Sequence, residues 1–208
     1  MRQDNQPLDK QDDFHCSPAQ RTLPTPHEHY LQTRSLPMVR SSLAIVPAKA
    51  NSLYITTLPL IGDSFHWSFM HIDNNGICTR HHWAPITHDM LGREDYIEEA
   101  LPIGALNKAR NLDILGYFRV SDYRVTDIAT FRELCKGIFT EGFPTVVENR
   151  KNRITCRTWL TKVVEKLTSP ERAQEIEQGV TSRSQACGNE YASTFLRNTV
   201  YTTVVEDV

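Results

Sequence analysis

Three histidines and one cysteine are the residues of this chain whose chemistry could be combined in one site. One short segment rich in aromatic residues carries His66, and the next segment carries His81 and His82. Cys156 lies much farther along the chain, in the segment RITCRTW. An imidazole close to a thiol can accept its proton and so make the sulfur a nucleophile. These residue types therefore predict attack by a cysteine on a carbonyl carbon.

The two histidine segments are predicted to pair as a β-hairpin. Asn75-Gly76 between them is typical of a two-residue turn, because both residues tolerate positive φ. Alternation along an extended strand places His66 on the face opposite the aromatic side chains, which are expected to be core. A two-residue turn pairs Met70 with His81 and favours His81 as the neighbour of His66. A bulge or a longer loop would bring His82 there instead.

Cys156 is predicted to lie in the first turn of a helix that starts at Thr155 or Cys156. The apolar positions of this helix are Trp159, Leu160, Val163, Val164 and Leu167. Free N–H groups at a helix start lower the pKa of a thiol and could hold the oxyanion of an acyl transfer. We therefore expect an acidic Cys156 thiol, with His66 as its base and a second histidine to orient or polarise that base.

The remaining elements are predicted from β-branched runs, helix caps and helical periodicity. Strands are expected at 42–47, 53–58, 112–123 and 199–205, and helices at 128–139 after the cap Asp127, from 170 onward, and at 190–197. Residues 89–101 are expected to form a loop with a short helix at 95–100. The predicted fold class is α+β, with an antiparallel sheet and helices packed on one side of it.

Composition and charge limit the class of protein. The chain has 208 residues and a formal net charge of −2. It therefore lacks the excess of positive charge that is typical of nucleic-acid-binding proteins. No apolar run is long enough to span a membrane and no secretory signal is visible, so a cytoplasmic protein is expected. Residues 1–40 are polar and are expected to be a disordered or loosely attached tail. Residues 41–208 are expected to form a single α+β domain.

The cysteine pattern argues against a structural metal or a redox site. The chain has five cysteines, an odd number, and no CxxC motif, so most of them are expected to be buried free thiols. No cofactor and no metal are expected. A metal site made of His66, His81 and His88 is the alternative, although no HExxH motif or carboxylate spacing accompanies these residues.

The order His66, second histidine, Cys156 resembles the lecithin retinol acyltransferase-like group, whose members are circularly permuted relatives of the papain-like NlpC-type peptidases. In that group, a strand beginning His-Trp-Ala supplies the base, the next strand supplies a second histidine, and a Cys at a later helix start is the nucleophile. The segment RITCRTW looks like the Asn-Cys-x-x-Phe/Trp helix start of the group, with Thr155 in place of Asn. The resemblance covers roughly residues 50–170 and extends to uncharacterised fungal proteins of the same design.

The resemblance implies a permuted papain-like fold and a cysteine-dependent hydrolase or acyl or aminoacyl transferase. Cys156 would be the nucleophile, His66 the base, and His81 or His82 the second histidine. The substrate would be a small molecule or a peptide-like amide, ester or thioester, and a fungal member would be expected to act in secondary metabolism. Two alternatives stay open: a non-catalytic interaction module on the same fold, and an isomerase or cyclase that uses histidine without the thiol.

Overall fold

The computed structural model describes residues 49–62, 64–86, 92–101 and 114–208. Within these ranges the strands are β1 (Ser52–Pro59), β2 (Phe65–Ile72), β3 (Cys78–Pro85), β4 (Glu94–Leu101), β5 (Gly116–Arg119) and β6 (Val204–Asp207). The helices are α1 (Ile128–Lys136), α2 (Val146–Lys151), α3 (Cys156–Leu167) and α4 (Pro170–Leu196). The predicted strand at 42–47 and the predicted boundary near residue 40 lie outside the described residues.

The described strands form one sheet in the order β4-β3-β2-β1-β5-β6. Neighbouring strands are antiparallel except for β5 and β6, which run parallel. A predominantly antiparallel sheet followed by helices confirms the α+β class. The papain-like permutation that the resemblance implies stays a prediction.

The helices α3 and α4 pack on one face of the sheet, where the main core lies. Alternate residues of β2, among them Trp67 and Phe69, join Trp159 of α3 and Phe131 of α1 in one buried cluster. The three tryptophans of the chain, Trp67, Trp83 and Trp159, are at most 1% exposed. These side chains are therefore core residues and do not form a partner surface.

Helix starts follow the capping residues that the sequence offers. The side chain of Asp127 accepts the amides of Ala129 and Thr130 at the start of α1, as predicted. Thr155 and Thr158 form a capping box at the start of α3, so Cys156 is the first helical residue. A cap satisfies amides that have no partner within the helix, and it fixes where the helix begins.

Several predicted elements are wrong in type or extent. The strand expected at 199–205 lies at Val204–Asp207 instead, and the helix expected at 128–139 ends at Lys136. Residues 94–101 form the strand β4 instead of a loop with a short helix, because each residue finds a partner on β3. The two helices expected after residue 170 are one helix, since α4 continues without a break from Pro170 to Leu196. The strand expected at 112–123 is confirmed only for 116–119 within its described part.

No helix in the described part of the chain is long and apolar enough to cross a membrane.

Candidate active site

The hairpin of β2 and β3 turns through a five-residue loop instead of the predicted two-residue turn. Ile72 pairs with Cys78 and Phe69 pairs with His81, so the register differs by one residue from the predicted one. The carboxylate of Asp73 accepts the amides of Asn75 and Ile77 at 2.9 and 2.8 Å, which stabilises the wider loop. The preference for His81 as the neighbour of His66 is therefore wrong, because a shift of one residue exchanges the two faces of a strand.

His82 is the histidine that contacts His66. The His66 Nε2 atom lies 2.9 Å from the His82 Nδ1 atom, which is hydrogen-bonding distance. Both rings lie on the sheet face opposite α3 and α4, because their positions alternate with those of the core residues Trp67 and Trp83. The second ring nitrogen of His82, Nε2, is buried without a partner among the described residues.

Both rings of this histidine pair are neutral at physiological pH. Burial lowers the pKa of His66 to about 4, and the positive charges of Arg80 and Arg150 act in the same direction. Burial lowers the pKa of His82 to about 2, again with help from Arg80. Desolvation disfavours the imidazolium form, so each ring offers one lone pair and one N–H group. The pair can therefore accept a proton, but it does not hold one at rest.

His81 points to the helix side of the sheet and takes part in a different cluster. Its Nδ1 atom lies 2.6 Å from the Tyr96 hydroxyl, and its ring contacts Phe131 edge-on. His71 lies on the same side of the sheet. Its ring stacks on Phe131, and its Nε2 atom is hydrogen-bonded to the Tyr123 hydroxyl at 3.0 Å. His81 is thus separated by the sheet from the pair His66 and His82, and the core explains its position.

Cys156 lies against the main chain on either side of His66. Its Sγ atom is 4.0 Å from the carbonyl oxygen of Phe65. The amide of Trp67 also interacts with the sulfur and favours its ionised form. Among the described residues, no hydrogen bond joins the sulfur to either histidine ring. Direct contact between the Cys156 thiol and the His66 ring therefore stays a prediction.

A separation of two strands makes room for this sulfur. The pairing of β2 with β3 stops at Phe69 and His81, and the residues of β2 before Phe69 pair only with β1. The Ser64 carbonyl accepts the amide of Leu60, and alternation then turns the Phe65 carbonyl away from β1. The sulfur of Cys156 thus contacts the edge of β2 at residues that do not pair with β3.

The thiol of Cys156 is less acidic than predicted. Burial raises its pKa, although the Trp67 amide and the Arg150 charge oppose this effect. The side chain is 8% exposed. The expected lowering of the pKa by the helix start is therefore wrong in its net direction, because the cost of desolvating a thiolate exceeds the gain from the amides and the guanidinium.

An ion pair between the buried Glu94 and the partly exposed Arg150, which the sequence did not reveal, lies just before α3. The Glu94 side chain is 2% exposed and accepts Arg150 Nη1 and Nη2 at 2.9 and 2.6 Å. The Asn149 amide donates to the same carboxylate at 3.0 Å. Arg150 also donates to the carbonyl of Ile154, two residues before Cys156, at 2.7 Å. No spacing motif signals this network, because Glu94 lies in a segment expected to be a loop.

The metal alternative finds no support in the part of the chain that is described. No group of three or more His, Cys, Asp or Glu residues there could hold a metal ion. His66 and His81 lie on opposite faces of the sheet, and His88 lies outside the described residues. The cysteines Cys78, Cys135, Cys156 and Cys187 are all buried and free, as predicted for most of the thiols.

Comparison with protein-family models, with curated proteins and with solved structures finds no match for this chain.

Proposed function

We propose that the protein is a cysteine-dependent hydrolase or acyltransferase in which Cys156 is the nucleophile, His66 the base and His82 the residue that orients His66. The observation that carries this proposal is the position of the sulfur. It contacts the main chain on both sides of His66, while the far nitrogen of the His66 ring is bonded to His82.

The nitrogen available for the thiol proton is His66 Nδ1. Nε2 is engaged with His82 Nδ1, and Nδ1 is the ring nitrogen nearer to the main chain, which is where the sulfur lies. The proposal requires that the Nε2 atom of His66 carries a hydrogen and donates it to His82. A second group that fixes the tautomer of a catalytic imidazole is a recurring arrangement in acyl-transfer enzymes.

Both partners are neutral at rest, so the proton moves as the sulfur attacks. The S–H proton passes to His66 Nδ1 while the sulfur bonds to the carbonyl carbon of the substrate. The backbone amide of Cys156, at the start of α3, stabilises the oxyanion that forms. The leaving group then takes the proton from His66, and a thioester on Cys156 remains. Water or a second nucleophile releases the acyl group and restores the thiol.

The test is acylation of the full chain by p-nitrophenyl acetate. We expect a burst of p-nitrophenolate approaching one equivalent, and an acetyl group on the peptide that contains Cys156 after an acid quench. Cys156→Ala removes the burst, and His66→Gln slows it by at least about a hundredfold, the usual contribution of a general base. Cys187→Ala is the matched control, since Cys187 is also buried, at 6% exposure, and is expected to leave the burst unchanged.

Two results would overturn the proposal. Equal acetylation of Cys156 and Cys187 would mean that Cys156 has no special reactivity. Release of p-nitrophenolate that survives Cys156→Ala but not His66→Gln would assign the catalysis to the histidine pair alone.

A further inference from the structure

Arg150 is a guanidinium that is held rigidly on one edge and open on another. Its Nη1 and Nη2 atoms bind the buried carboxylate of Glu94, and the second Nη1 hydrogen goes to the Ile154 carbonyl. The side chain of Arg150 nevertheless remains 43% exposed, in contrast to the 2% exposure of Glu94. Three bonds thus fix the orientation of the guanidinium, and part of it still faces solvent.

The open edge has the geometry that binds a carboxylate. The Nε hydrogen and the outer Nη2 hydrogen of Arg150 have no partner among the described residues, and they lie on the same edge of the guanidinium. Arg119 uses the same two atoms to hold the carboxylate of Asp207, with both bonds at 2.6 Å. Two parallel N–H groups match the two oxygens of a carboxylate, and fixing them in advance lowers the entropy lost on binding.

Arg150 is hydrogen-bonded to the residue that precedes the cap of α3, the helix that carries the candidate nucleophile Cys156. The Ile154 carbonyl that Arg150 binds belongs to the residue before the cap of α3, and Cys156 is the first residue of that helix. The charge of Arg150 favours the thiolate of Cys156 and disfavours the imidazolium of His66. The guanidinium therefore lies within electrostatic reach of both side chains.

We propose that Arg150 is a binding residue for a carboxylate on the acyl donor, so that the substrate class is an acyl compound with a second, anionic group. This inference rests on the proposed function, because it assumes that an acyl donor occupies the space beside Cys156. The buried Glu94 would then serve to hold the guanidinium in place, and the open edge of Arg150 would hold the substrate.

The test compares alkylation of Cys156 by iodoacetate and by iodoacetamide, which share a leaving group and differ in charge. Rates are measured at low ionic strength by mass spectrometry and divided by those of glutathione. We expect the ratio of iodoacetate rate to iodoacetamide rate to fall by about tenfold in Arg150→Gln, because attraction between opposite charges at short range is lost. The double variant Glu94→Gln, Arg150→Gln leaves no buried carboxylate unpaired and is expected to show the same fall.

Arg153→Gln is the matched control, since Arg153 is an exposed cation three residues before Cys156. It is expected to keep the ratio within about twofold, because the charge of an exposed side chain acts through water of high dielectric constant. An equal fall in Arg153→Gln would overturn the inference by showing general attraction to positive charge. An unchanged ratio in both Arg150 variants, or no labelling of Cys156 by either reagent, would overturn it as well.

The carboxylate site at Arg150 and the cysteine mechanism can each fail without the other, and the two experiments distinguish these cases. Acylation of Cys156 by p-nitrophenyl acetate with no effect of Arg150 on the rate ratio would leave the cysteine mechanism and remove the carboxylate site. A rate ratio that depends on Arg150, without any acylation of Cys156, would leave an anion-binding site beside a thiol that is alkylated but does not act as an acyl-transfer nucleophile.

Discussion

At the scale of single residues, the candidate site combines a neutral thiol with a pair of neutral imidazoles. The residue types were predictable, because cysteine and histidine are the side chains that support this chemistry. Their protonation was not predictable, because it depends on burial, and burial depends on the packing of β2, β3 and α3 together. The sequence shows that Cys156 begins a helix, but it does not show how much solvent the sulfur loses.

The raised pKa of Cys156 leads to a prediction about its reactivity with pH. Only the thiolate is alkylated, so the rate with iodoacetamide should rise from pH 7 to beyond pH 9 without a plateau. The measurement is the rate of modification of Cys156 at each pH, followed by mass spectrometry. A plateau already reached below pH 7 would show instead a preformed pair of thiolate and imidazolium.

A substitution at His82 can distinguish a role in orienting His66 from a purely structural role. His82→Phe should slow acylation of Cys156 by p-nitrophenyl acetate by at least about tenfold, because the His66 ring loses the bond that fixes its orientation. Alkylation of Cys156 at pH 9 should change little, since it needs no base. His81→Phe leaves the pair intact and serves as the control. Equal losses in both variants would point to general damage to the sheet.

At the scale of elements, strands and helix starts were predictable, but the register of the hairpin was not. Asn75-Gly76 indicates a turn correctly. The turn is wider than expected because Asp73 accepts two amides within the loop. The wider turn exchanges His81 for His82. The strand β4 was missed for a related reason, since Glu94 and its neighbours look solvent-exposed until β3 and the Asn149–Arg150 pair surround them.

The close contact between Gly142 and β4 predicts a sensitive position beside the ion pair. A Cβ atom at Gly142 would lie 2.6 Å from the Glu94 carbonyl oxygen, and backbone cannot move aside easily. Gly142→Ala should lower the free energy of unfolding by about 1–3 kcal/mol and should slow acylation of Cys156. Gly179→Ala in α4 is the control, because nothing lies within 4 Å of its Cβ position.

The control variant should behave in the opposite direction. Gly179→Ala should raise the free energy of unfolding by about 0.5–1 kcal/mol, since glycine within a helix loses more backbone entropy than alanine. Both values are measured by urea denaturation at pH 7. A rise in stability in Gly142→Ala as well would mean that the backbone moves aside at this position and that the contact with Glu94 does not constrain it.

At the scale of the whole molecule, burial lowers the pKa of four histidines in one sheet, namely His66, His71, His81 and His82. Burial lowers the pKa of His66 to about 4, of His81 to about 3 and of His82 to about 2. In the unfolded chain the same residues would titrate near pH 6.5. Between these values the unfolded chain binds more protons than the folded protein, so stability is fully present above pH 6.5 and is lost as the pH falls.

The expected consequence is a fold that loses stability in acid. The slope of its free energy of unfolding against pH reports the number of buried histidines. Each histidine that stays neutral in the folded protein contributes about 1.4 kcal/mol per pH unit to the fall in the free energy of unfolding between pH 6 and 4. His81→Phe should reduce the slope by about one such step, because it removes one titrating ring and keeps an aromatic side chain against Phe131 and Tyr96. The measurement is urea denaturation at half-unit pH intervals. An unchanged slope in His81→Phe would mean that this ring binds its proton in the folded protein as readily as in the unfolded chain.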